Sequence, residues 1–265
     1  MTSSIGRRIA VVADVHANLH ALRAVVAEIR SSGVDSIVCA GDLVGYGPFP
    51  NECVDMIAGL GARSVAGNHD LMAINGIPIE RVGRLVRESQ EWTRAQLRPD
   101  VRDYLAGLPL KLDLGELVVA HGSLSDPSQY VVGAADGFAQ LAKLALEHPS
   151  ALLLVLGHTH RRRLQAGVDA GAAAPRDGKV ELRNGMRYLL NPGSVGQSRE
   201  WMPPPRAHFA LLHLDAGLVD FRSVDYDVAS CSAALRERGL PAYAMHLPPG
   251  RLGRAALYMR DALHG

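Results

Sequence analysis

Cysteines, basic clusters and long apolar runs are all scarce in this chain, and each scarcity excludes a class of protein. Only three cysteines occur in 265 residues, at positions 39, 53 and 231. An odd number at such wide spacing argues against a disulfide framework and for a reducing compartment. The longest apolar stretch, 151–156, is too short to span a bilayer, and the first residues lack the apolar segment of a signal peptide. We therefore expect a cytoplasmic protein without a membrane partner.

Basic residues are numerous but not clustered. Lysine supplies only three of the 28 basic residues, the formal net charge is +1, and the one basic triplet lies at 161–163. Nucleic-acid binding needs a concentrated positive surface, so we expect no nucleic-acid footprint. The 48% apolar composition fits one large globular core. We predict a single domain over 1–265, with a core over about 8–225 and a helical extension over about 226–265.

The first third of the chain has a repeated strand, helix, strand pattern. The β-branched apolar run at 8–13 predicts a buried strand, and helical spacing of apolar residues follows at 19–29. Further strands are predicted at 36–40 and 63–66, with a helix at 51–60 between them. Parallel strands joined by helices place their carboxyl ends at one edge of the sheet, which is where ligands bind in open α/β folds.

The middle of the chain continues this alternation. The pattern predicts a long amphipathic helix at 79–97, a hairpin of strands at 110–114 and 117–120, a helix at 138–146, and a buried strand at 151–156. Beyond residue 160, short strands separated by turn residues predict a second, mostly antiparallel sheet. These strands are predicted at 163–168, 180–183, 186–190, 208–214 and 218–223.

Five short segments of ligand-type residues follow predicted strands, in a fixed order along the first 160 positions. They contribute carboxylates, one amide oxygen and imidazoles, which are the groups that hold divalent metal ions. We expect all five to face the same edge of the sheet. The segments are D-V-H at 14–16, G-D at 41–42, G-N-H-D at 67–70, H-G at 121–122 and G-H-T-H at 157–160.

Each segment taken alone has an ordinary structural explanation. Asp42 could cap a helix, His121 could be a hydrogen-bonded core histidine, and the Asn68-His69 pair could form a turn that Asp70 braces. Their combination is harder to explain in this way, because many buried polar groups at one edge need partners. Two adjacent divalent cations would supply those partners and would indicate phosphoryl chemistry.

With these five segments in this order, the chain resembles the calcineurin-like metallophosphoesterase superfamily over residues 8 to 225. The resemblance implies a four-layer α/β/β/α sandwich of two mixed β-sheets flanked by helices. It also implies two metal ions that share Asp42, which is therefore counted as both a ligand and a catalytic residue. One ion would be held by Asp14, His16, Asp42 and His160, and the other by Asp42, Asn68, His121 and His158.

The resemblance also implies a mechanism. A hydroxide that bridges the two metal ions attacks phosphorus in line, and His69 acts as the general acid for the leaving alkoxide. Mixed nitrogen and oxygen ligands suit Mn, Fe, Zn, Co or Ni, and we expect Mn to support activity in an assay.

Two positions after Asp42 depart from related branches of the superfamily. Protein phosphatases and dinucleoside tetraphosphatases carry an Asp and an Arg where this chain has Gly45 and Tyr46. The carboxylate that would orient the catalytic histidine and the guanidinium that would grip phosphate are both absent from these positions. Gly45 also excludes the tyrosine ligand of purple acid phosphatases. The N-P-G-S segment at 191–194 instead resembles a small bacterial and archaeal phosphodiesterase-like group.

Three further residues are candidates for substrate binding. Asn18 could hydrogen-bond a phosphate, or it could simply cap the helix that follows. Tyr46 could line a pocket or pack in the interior, and Arg199 could reach a phosphate. The apolar loop at 201–205 could form a lid or a subunit contact.

Two classes of function stay open at this point. The intact set of ligand residues favours a phosphodiesterase or another phosphatase acting on a small phosphorylated substrate. The alternative is a catalytically silent scaffold that uses the same fold to bind proteins. The oligomeric state cannot be read from the sequence.

Overall fold

The apolar run at residues 8–13 forms a strand that is buried on both faces, which explains why it does not alternate with polar residues. The computed structural model describes residues 5–167, 177–199 and 204–245. Along β1 (Arg8–Val12), Ile9 and Val11 face a second sheet, whereas Ala10 and Val12 face helices. The strand is therefore central to the architecture.

The first sheet has six strands, and β1 lies inside it. Its parallel half continues from β1 through two strands, and its antiparallel half adds three strands from the end of the chain. In spatial order the strands are β3 (Arg63–Ser64), β2 (Ser36–Cys39), β1, β10 (Ala207–His213), β11 (Leu218–Val224) and β8 (Gly178–Glu181).

The second sheet has five strands and is also mixed. Its three central strands are parallel, and each edge strand is antiparallel to its neighbour. In spatial order the strands are β4 (Lys111–Asp113), β5 (Leu117–Ala120), β6 (Leu153–Val155), β9 (Tyr188–Pro192) and β7 (Arg162–Ala166).

Helices cover the outer faces of the two sheets. The bounds are α1 (Leu19–Ser31), α2 (Pro50–Gly59), α3 (Asn68–Ala73), α4 (Arg84–Gln96), α5 (Pro99–Ala106), α6 (Ala134–Glu147) and α7 (Val228–Glu237). Apolar side chains of α1, α2 and α5 pack on the first sheet, and those of α6 pack on the second. A third apolar cluster fills the space between the sheets. The four-layer α/β/β/α sandwich is thus confirmed.

The strands after residue 160 do not form a separate sheet, so that prediction was wrong. β8, β10 and β11 extend the first sheet, and β7 and β9 extend the second. The physical reason is an open edge: the parallel half of the first sheet leaves one side of β1 unpaired, and β10 pairs there with Val11 opposite Ala210.

The helix predictions for the middle of the chain need correction. The helix predicted at 79–97 begins only at Arg84 and ends at Gln96. The Asn68-His69 pair, for which a turn was one explanation, opens the short helix α3. The sequence analysis predicted no helix at 99–106, but α5 begins at Pro99, because proline tolerates the first helical position, where no amide hydrogen is needed.

Other expectations concern the cysteines, the membrane and the chain end. All three cysteines are buried and unpaired. Every helix within the described ranges falls short of what a membrane crossing requires. The predicted helical extension over 226–265 includes α7, whereas positions 246–265 and the 201–203 part of the apolar loop lie outside the described residues.

Candidate metal centre

The ligand-type segments leave the carboxyl ends of five strands that belong to two sheets. Those after β1, β2 and β3 come from the first sheet, and those after β5 and β6 come from the second. The expectation of a single sheet edge therefore has to be corrected, because the two sheets present adjacent edges. Hydrogen bonds join the edges directly: Asp14 Oδ1 accepts from the His158 amide at 3.0 Å, and the His121 ring contacts the Ala40 carbonyl at 2.6 Å.

These side chains form two clusters of ligand atoms that share Asp42. Within each cluster the ligand atoms lie within 4.8 Å of one another, and all the residues are buried. The shared carboxylate oxygen, Asp42 Oδ2, lies 3.5 Å from His16 Nε2 and 3.2 Å from His121 Nε2. The clusters are Asp14, His16, Asp42 and His160, and Asp42, His121 and His158. Asn68 adjoins the second cluster, with its Oδ1 3.1 Å from His121 Nε2.

Each of the four clustered histidines has one ring nitrogen against a backbone carbonyl. A carbonyl only accepts, so that nitrogen carries the hydrogen, and in the neutral ring the other nitrogen presents its lone pair to the centre. This is the arrangement that orients imidazoles as metal ligands. The pairs are His16 Nδ1 with Val44 at 3.1 Å, His121 Nδ1 with Ala40 at 2.6 Å, His160 Nδ1 with Gln197 at 2.6 Å and His158 Nε2 with Ser128 at 3.1 Å.

Two features show that divalent cations fit this donor set. The second carboxylate oxygens of Asp14 and Asp42 are buried and find no hydrogen-bond partner among the described residues. The Nε2 atoms of His16 and His160 face each other at 3.0 Å. With both lone pairs directed inward, that contact is repulsive unless a cation or proton lies between them. The chemistry of the site is therefore that of a cation-binding pocket.

Burial and mutual charge set the pKa values of these groups. Burial lowers the pKa of His16 to about 3, and it also lowers the pKa values of His158 and His160, so these rings are neutral as ligands must be. Burial raises the pKa of Asp14 to about 7. Although burial opposes it, the Asp42 carboxylate raises the pKa of His121 to about 9.

The backbone at the site is strained. Five proposed ligands have φ between 47° and 65°, in the left-handed region that L residues seldom adopt. Such conformations persist only where surrounding contacts impose them, and they concentrate at functional sites. The five are Asp14, His16, Asp42, His158 and His160.

The segment after β3 is held by carboxylates. The His69 amide donates to Asp42 Oδ1 at 2.8 Å, so the shared carboxylate also fixes the first turn of α3. Asp70 accepts from the Val44 and Gly67 amides at 3.1 Å and 2.9 Å. Asp70 therefore braces the turn, as the sequence predicted.

The N-P-G-S segment, which begins with the last two residues of β9, connects the ligand loops of both sheets. Asn191 Nδ2 donates to the Gly157 carbonyl at 2.6 Å and to Thr159 Oγ1 at 3.1 Å. Ser194 Oγ donates to the Asp14 carbonyl at 2.8 Å. The signature segment is thus a brace for the two loops that carry Asp14 and the 158–160 histidines.

The His69 ring lies beside the shared carboxylate but outside both clusters. Its centroid is 4.9 Å from that of His16 and 4.6 Å from that of Tyr46. Burial lowers the pKa of His69 to about 4, so the imidazole is neutral near pH 7. Its Nδ1 is 2.9 Å from Nε2 of Gln90, a fully buried residue of α4.

The three candidate substrate residues have different surroundings. Asn18 Oδ1 accepts from the Ala21 amide at 3.1 Å, so the structure shows the helix-cap alternative. Tyr46 is only 4% exposed and packs in an apolar cluster, as its second alternative stated. Arg199 lies close enough to both clusters for its charge to act on them: burial raises the pKa of Asp14 and Arg199 opposes that rise, whereas burial lowers the pKa of His158 and Arg199 adds to that fall.

Sequence reasoning missed two residues at the centre. Tyr130 stacks on the proposed ligand His158 at a centroid distance of 4.0 Å, and its hydroxyl accepts from Arg199 Nη1 at 3.3 Å. Gln90 contacts His69 as described above. The helical period of α4 places Ser89, Gln90 and Thr93 on its buried face, and buried polar residues there were a signal that could have been followed.

Comparisons with known proteins agree with this geometry. The calcineurin-like phosphoesterase superfamily domain matches residues 8–217. An uncharacterised protein of Methanocaldococcus jannaschii is 28% identical over 239 residues, covering 88% of this chain and 93% of that protein. A metallophosphoesterase from Sphaerobacter thermophilus has 36% identity and a TM-score of 0.76, covering 92% of this chain and 97% of its own.

A more distant structure shares the fold. A hypothetical protein from Pyrococcus horikoshii is 20% identical with a TM-score of 0.71, covering 90% of this chain and 96% of its own. The architecture is therefore common to bacterial and archaeal proteins of similar length.

Proposed function

The chain belongs to the calcineurin-like phosphoesterase superfamily, and from this premise we propose that it is a phosphodiesterase that uses two divalent metal ions. The family predicted from the five segments is confirmed, and the protein is a metal-dependent phosphoric ester hydrolase. The observation that carries the proposal is the pair of ligand clusters sharing Asp42, in which Asp14 and Asp42 each keep a buried carboxylate oxygen with no hydrogen-bond partner among the described residues.

We assign the ligands as the sequence predicted. Asp42 belongs to both clusters and would serve as a ligand to both ions, and Asn68 would add an amide oxygen to the second cluster. The ions, when bound, supply Lewis acidity toward the phosphate oxygens and a nucleophilic hydroxide at neutral pH. The remaining ligands are Asp14, His16 and His160 for one ion, and His121 and His158 for the other.

His69 and Arg199 would act directly on the substrate. His69 lies next to the shared carboxylate, where its neutral ring would stabilise the leaving-group oxygen by donating a hydrogen bond to it. Arg199 places a guanidinium near both clusters, where it would hold a phosphate oxygen. The Tyr130 hydroxyl, 3.3 Å from Arg199 Nη1, would keep that guanidinium at the rim of the centre.

The positions after Asp42 favour a diester over a monoester. A phosphomonoester dianion carries one more charge than a diester, and related branches meet a phosphate with an arginine where this chain has Tyr46. Here that side chain is buried against His16 and His69 and adds no positive charge. A singly charged diester is therefore the better match.

Hydrolysis of two aryl esters tests the proposal. Metal-stripped protein reloaded with Mn is assayed on bis-p-nitrophenyl phosphate and on p-nitrophenyl phosphate, for the wild type and for Asp42→Asn. We expect diester turnover that Mn restores and that Asp42→Asn abolishes, since the variant loses the charge shared by both clusters.

A matched substitution controls for the charge change. Asp215→Asn alters an exposed residue that pairs with Arg7 and should keep wild-type turnover. Absence of turnover of either ester with Mn, Fe, Zn, Co and Ni, in protein that binds two ions, would overturn the enzyme assignment in favour of the scaffold. Faster monoester than diester turnover would contradict the diester assignment alone.

A further inference from the structure

We propose that Gln90 is the positioning residue for His69, holding its ring so that Nε2–H is directed to the leaving-group oxygen. Related branches use an Asp at the position of Gly45 for this purpose. In this chain the partner comes instead from α4, 45 positions further along. The inference rests on the proposed function for its catalytic consequence, but the hydrogen bond can be tested without it.

The contact is buried and specific. Gln90 is 0% exposed, and its Nε2 lies 2.9 Å from His69 Nδ1 and 3.2 Å from the His69 carbonyl oxygen. Its Oε1 finds no hydrogen-bond partner among the described residues. A buried glutamine tolerates an unsatisfied oxygen only where its other contacts fix it in place.

The contact with the His69 carbonyl oxygen shows which atom of the Gln90 amide faces His69. The His69 carbonyl can only accept, so the amide atom facing it is the NH₂ group and not the oxygen. The same NH₂ group therefore donates to His69 Nδ1. A ring whose Nδ1 accepts carries its hydrogen on Nε2, on the far side from Gln90.

Gly45 makes room for this arrangement. A Cβ at position 45 would lie 2.6 Å from His69 Nδ1 and 2.9 Å from Gln90 Nε2, and Gly45 itself has φ of 88°. A side chain at position 45 and the present Gln90 contact thus exclude each other. In the sequence, Gly45 marks the position where related branches carry the orienting carboxylate. In the structure, the space left by the absent side chain is occupied by the amide of Gln90.

α4 is fixed relative to α3, which carries His69. Arg94, one turn beyond Gln90, donates from Nε and Nη2 to the Met72 carbonyl at 2.8 Å and 2.6 Å. The amide of Gln90 is therefore held against the ring by the packing of two helices. Side chains held in this way position a catalytic group with little loss of entropy on binding substrate.

The contact with Gln90 determines which ring nitrogen of His69 donates and fixes its direction before substrate binds. A neutral imidazole can stabilise a developing negative charge by donating from a single nitrogen. With Nδ1 engaged by Gln90, the donor is Nε2, and the ring cannot rotate to offer the other nitrogen without losing the buried contact.

The hydrogen bond itself is tested by ¹⁵N nuclear magnetic resonance on metal-free protein. Correlation spectra that separate the two imidazole tautomers are recorded for the wild type, for Gln90→Met and for His69→Gln, the last to identify the His69 signals. We expect the Nε2–H tautomer for His69 in the wild type and a mixture in Gln90→Met. A wild-type ring with hydrogen on Nδ1, or no change in Gln90→Met, would overturn the proposal.

The catalytic consequence is tested by a double-mutant cycle on Mn-loaded protein. Methionine has nearly the volume of glutamine but cannot donate, so Gln90→Met should lower kcat on an aryl diester with a poor leaving group by about tenfold or more. KM should change little. In a His69→Ala background, Gln90→Met should cause no further loss, because the residue acts through His69.

Thr93→Val is the matched control. It removes a buried hydroxyl one turn from Gln90 on the same helix and should keep wild-type kcat and the wild-type tautomer. Equal losses from Gln90→Met in both backgrounds would show a structural role and contradict the proposal. If the wild type turned over no diester at all, the proposed function would fail, whereas the tautomer would still decide the role of Gln90.

Discussion

Single residues at the centre combine strained backbone with complete burial. The left-handed conformation at Asp14, Asp42 and His158 turns successive carbonyls and side chains in different directions within a few residues. This lets one segment donate its amide to a neighbouring carboxylate while directing its own side chain to the centre, as His158 does toward Asp14. Asp and His adopt this conformation more readily than branched residues, which matches the residue types found here.

His69→Ala gives a prediction at this scale. The variant should bind the same number of metal ions as the wild type, because the His69 ring lies outside both clusters. Turnover of a diester with a poor leaving group should fall by about 100-fold or more, and turnover of one with a good leaving group should fall much less. Metal content by atomic spectroscopy and kcat across a series of aryl diesters would check this.

Loss of metal together with activity in His69→Ala would show that the ring is a ligand. A matched change is His148→Ala, which removes an imidazole outside both clusters that contacts Asp113 on the edge strand β4. It should alter neither metal content nor the dependence on leaving group.

Loops and helix ends position the centre at the scale of elements. The N-P-G-S segment contacts the exits of β1 and β6, so it connects ligands of the first sheet to ligands of the second. α3 begins within the third ligand segment, and its first turn hydrogen-bonds Asp42. These contacts supply the constraint that holds the strained residues in place.

The substitution Asn191→Ala tests whether the N-P-G-S segment supports the metal ligands. Without the bonds to the Gly157 carbonyl and Thr159 Oγ1, the loop that carries His158 and His160 should become less well fixed. We expect the affinity for Mn to fall by roughly 10- to 100-fold, as measured by calorimetric titration. Asn51→Ala, the same substitution at the surface of α2, should leave the affinity unchanged. If Asn191→Ala and Asn51→Ala bound Mn with equal affinity, the N-P-G-S segment would not support the metal ligands.

The whole molecule places ionisable groups where its two sheets meet. Apolar side chains fill the space between the sheets, and the polar residues lie beyond the strand ends, at the margin of that core. Burial therefore raises the pKa of Asp14 to about 7 and disfavours its charged form. A bound cation would offset this cost.

Metal removal should therefore destabilise the whole fold. An ion present at about 100 times its dissociation constant adds about 2.7 kcal/mol to the stability of the folded state, or roughly 5–10 °C in Tm for a chain of this size. Calorimetry of the protein stripped with a chelator and then reloaded with Mn would check this. The same comparison for Asp42→Asn should show a much smaller shift, and an equal shift would place the ion elsewhere.

The sequence by itself determined the local features of this protein. Apolar periodicity predicted β1, α1, β2 and the β4–β5 hairpin, because each depends on which faces of a short segment are buried. The order and type of the ligand residues predicted the superfamily. The departure at Gly45, one of two after Asp42, could also be read from the sequence, although its structural consequence could not.

Only the tertiary structure decided how distant segments pair. The late strands divide between the two sheets because they complete open edges, and no local period encodes which edge is open. The contact of Gln90 with His69, like that of Tyr130 with His158, joins segments whose separation in sequence says nothing of their distance in space. Packing of helices and sheets brings these residues together, so they become visible only once the chain is folded.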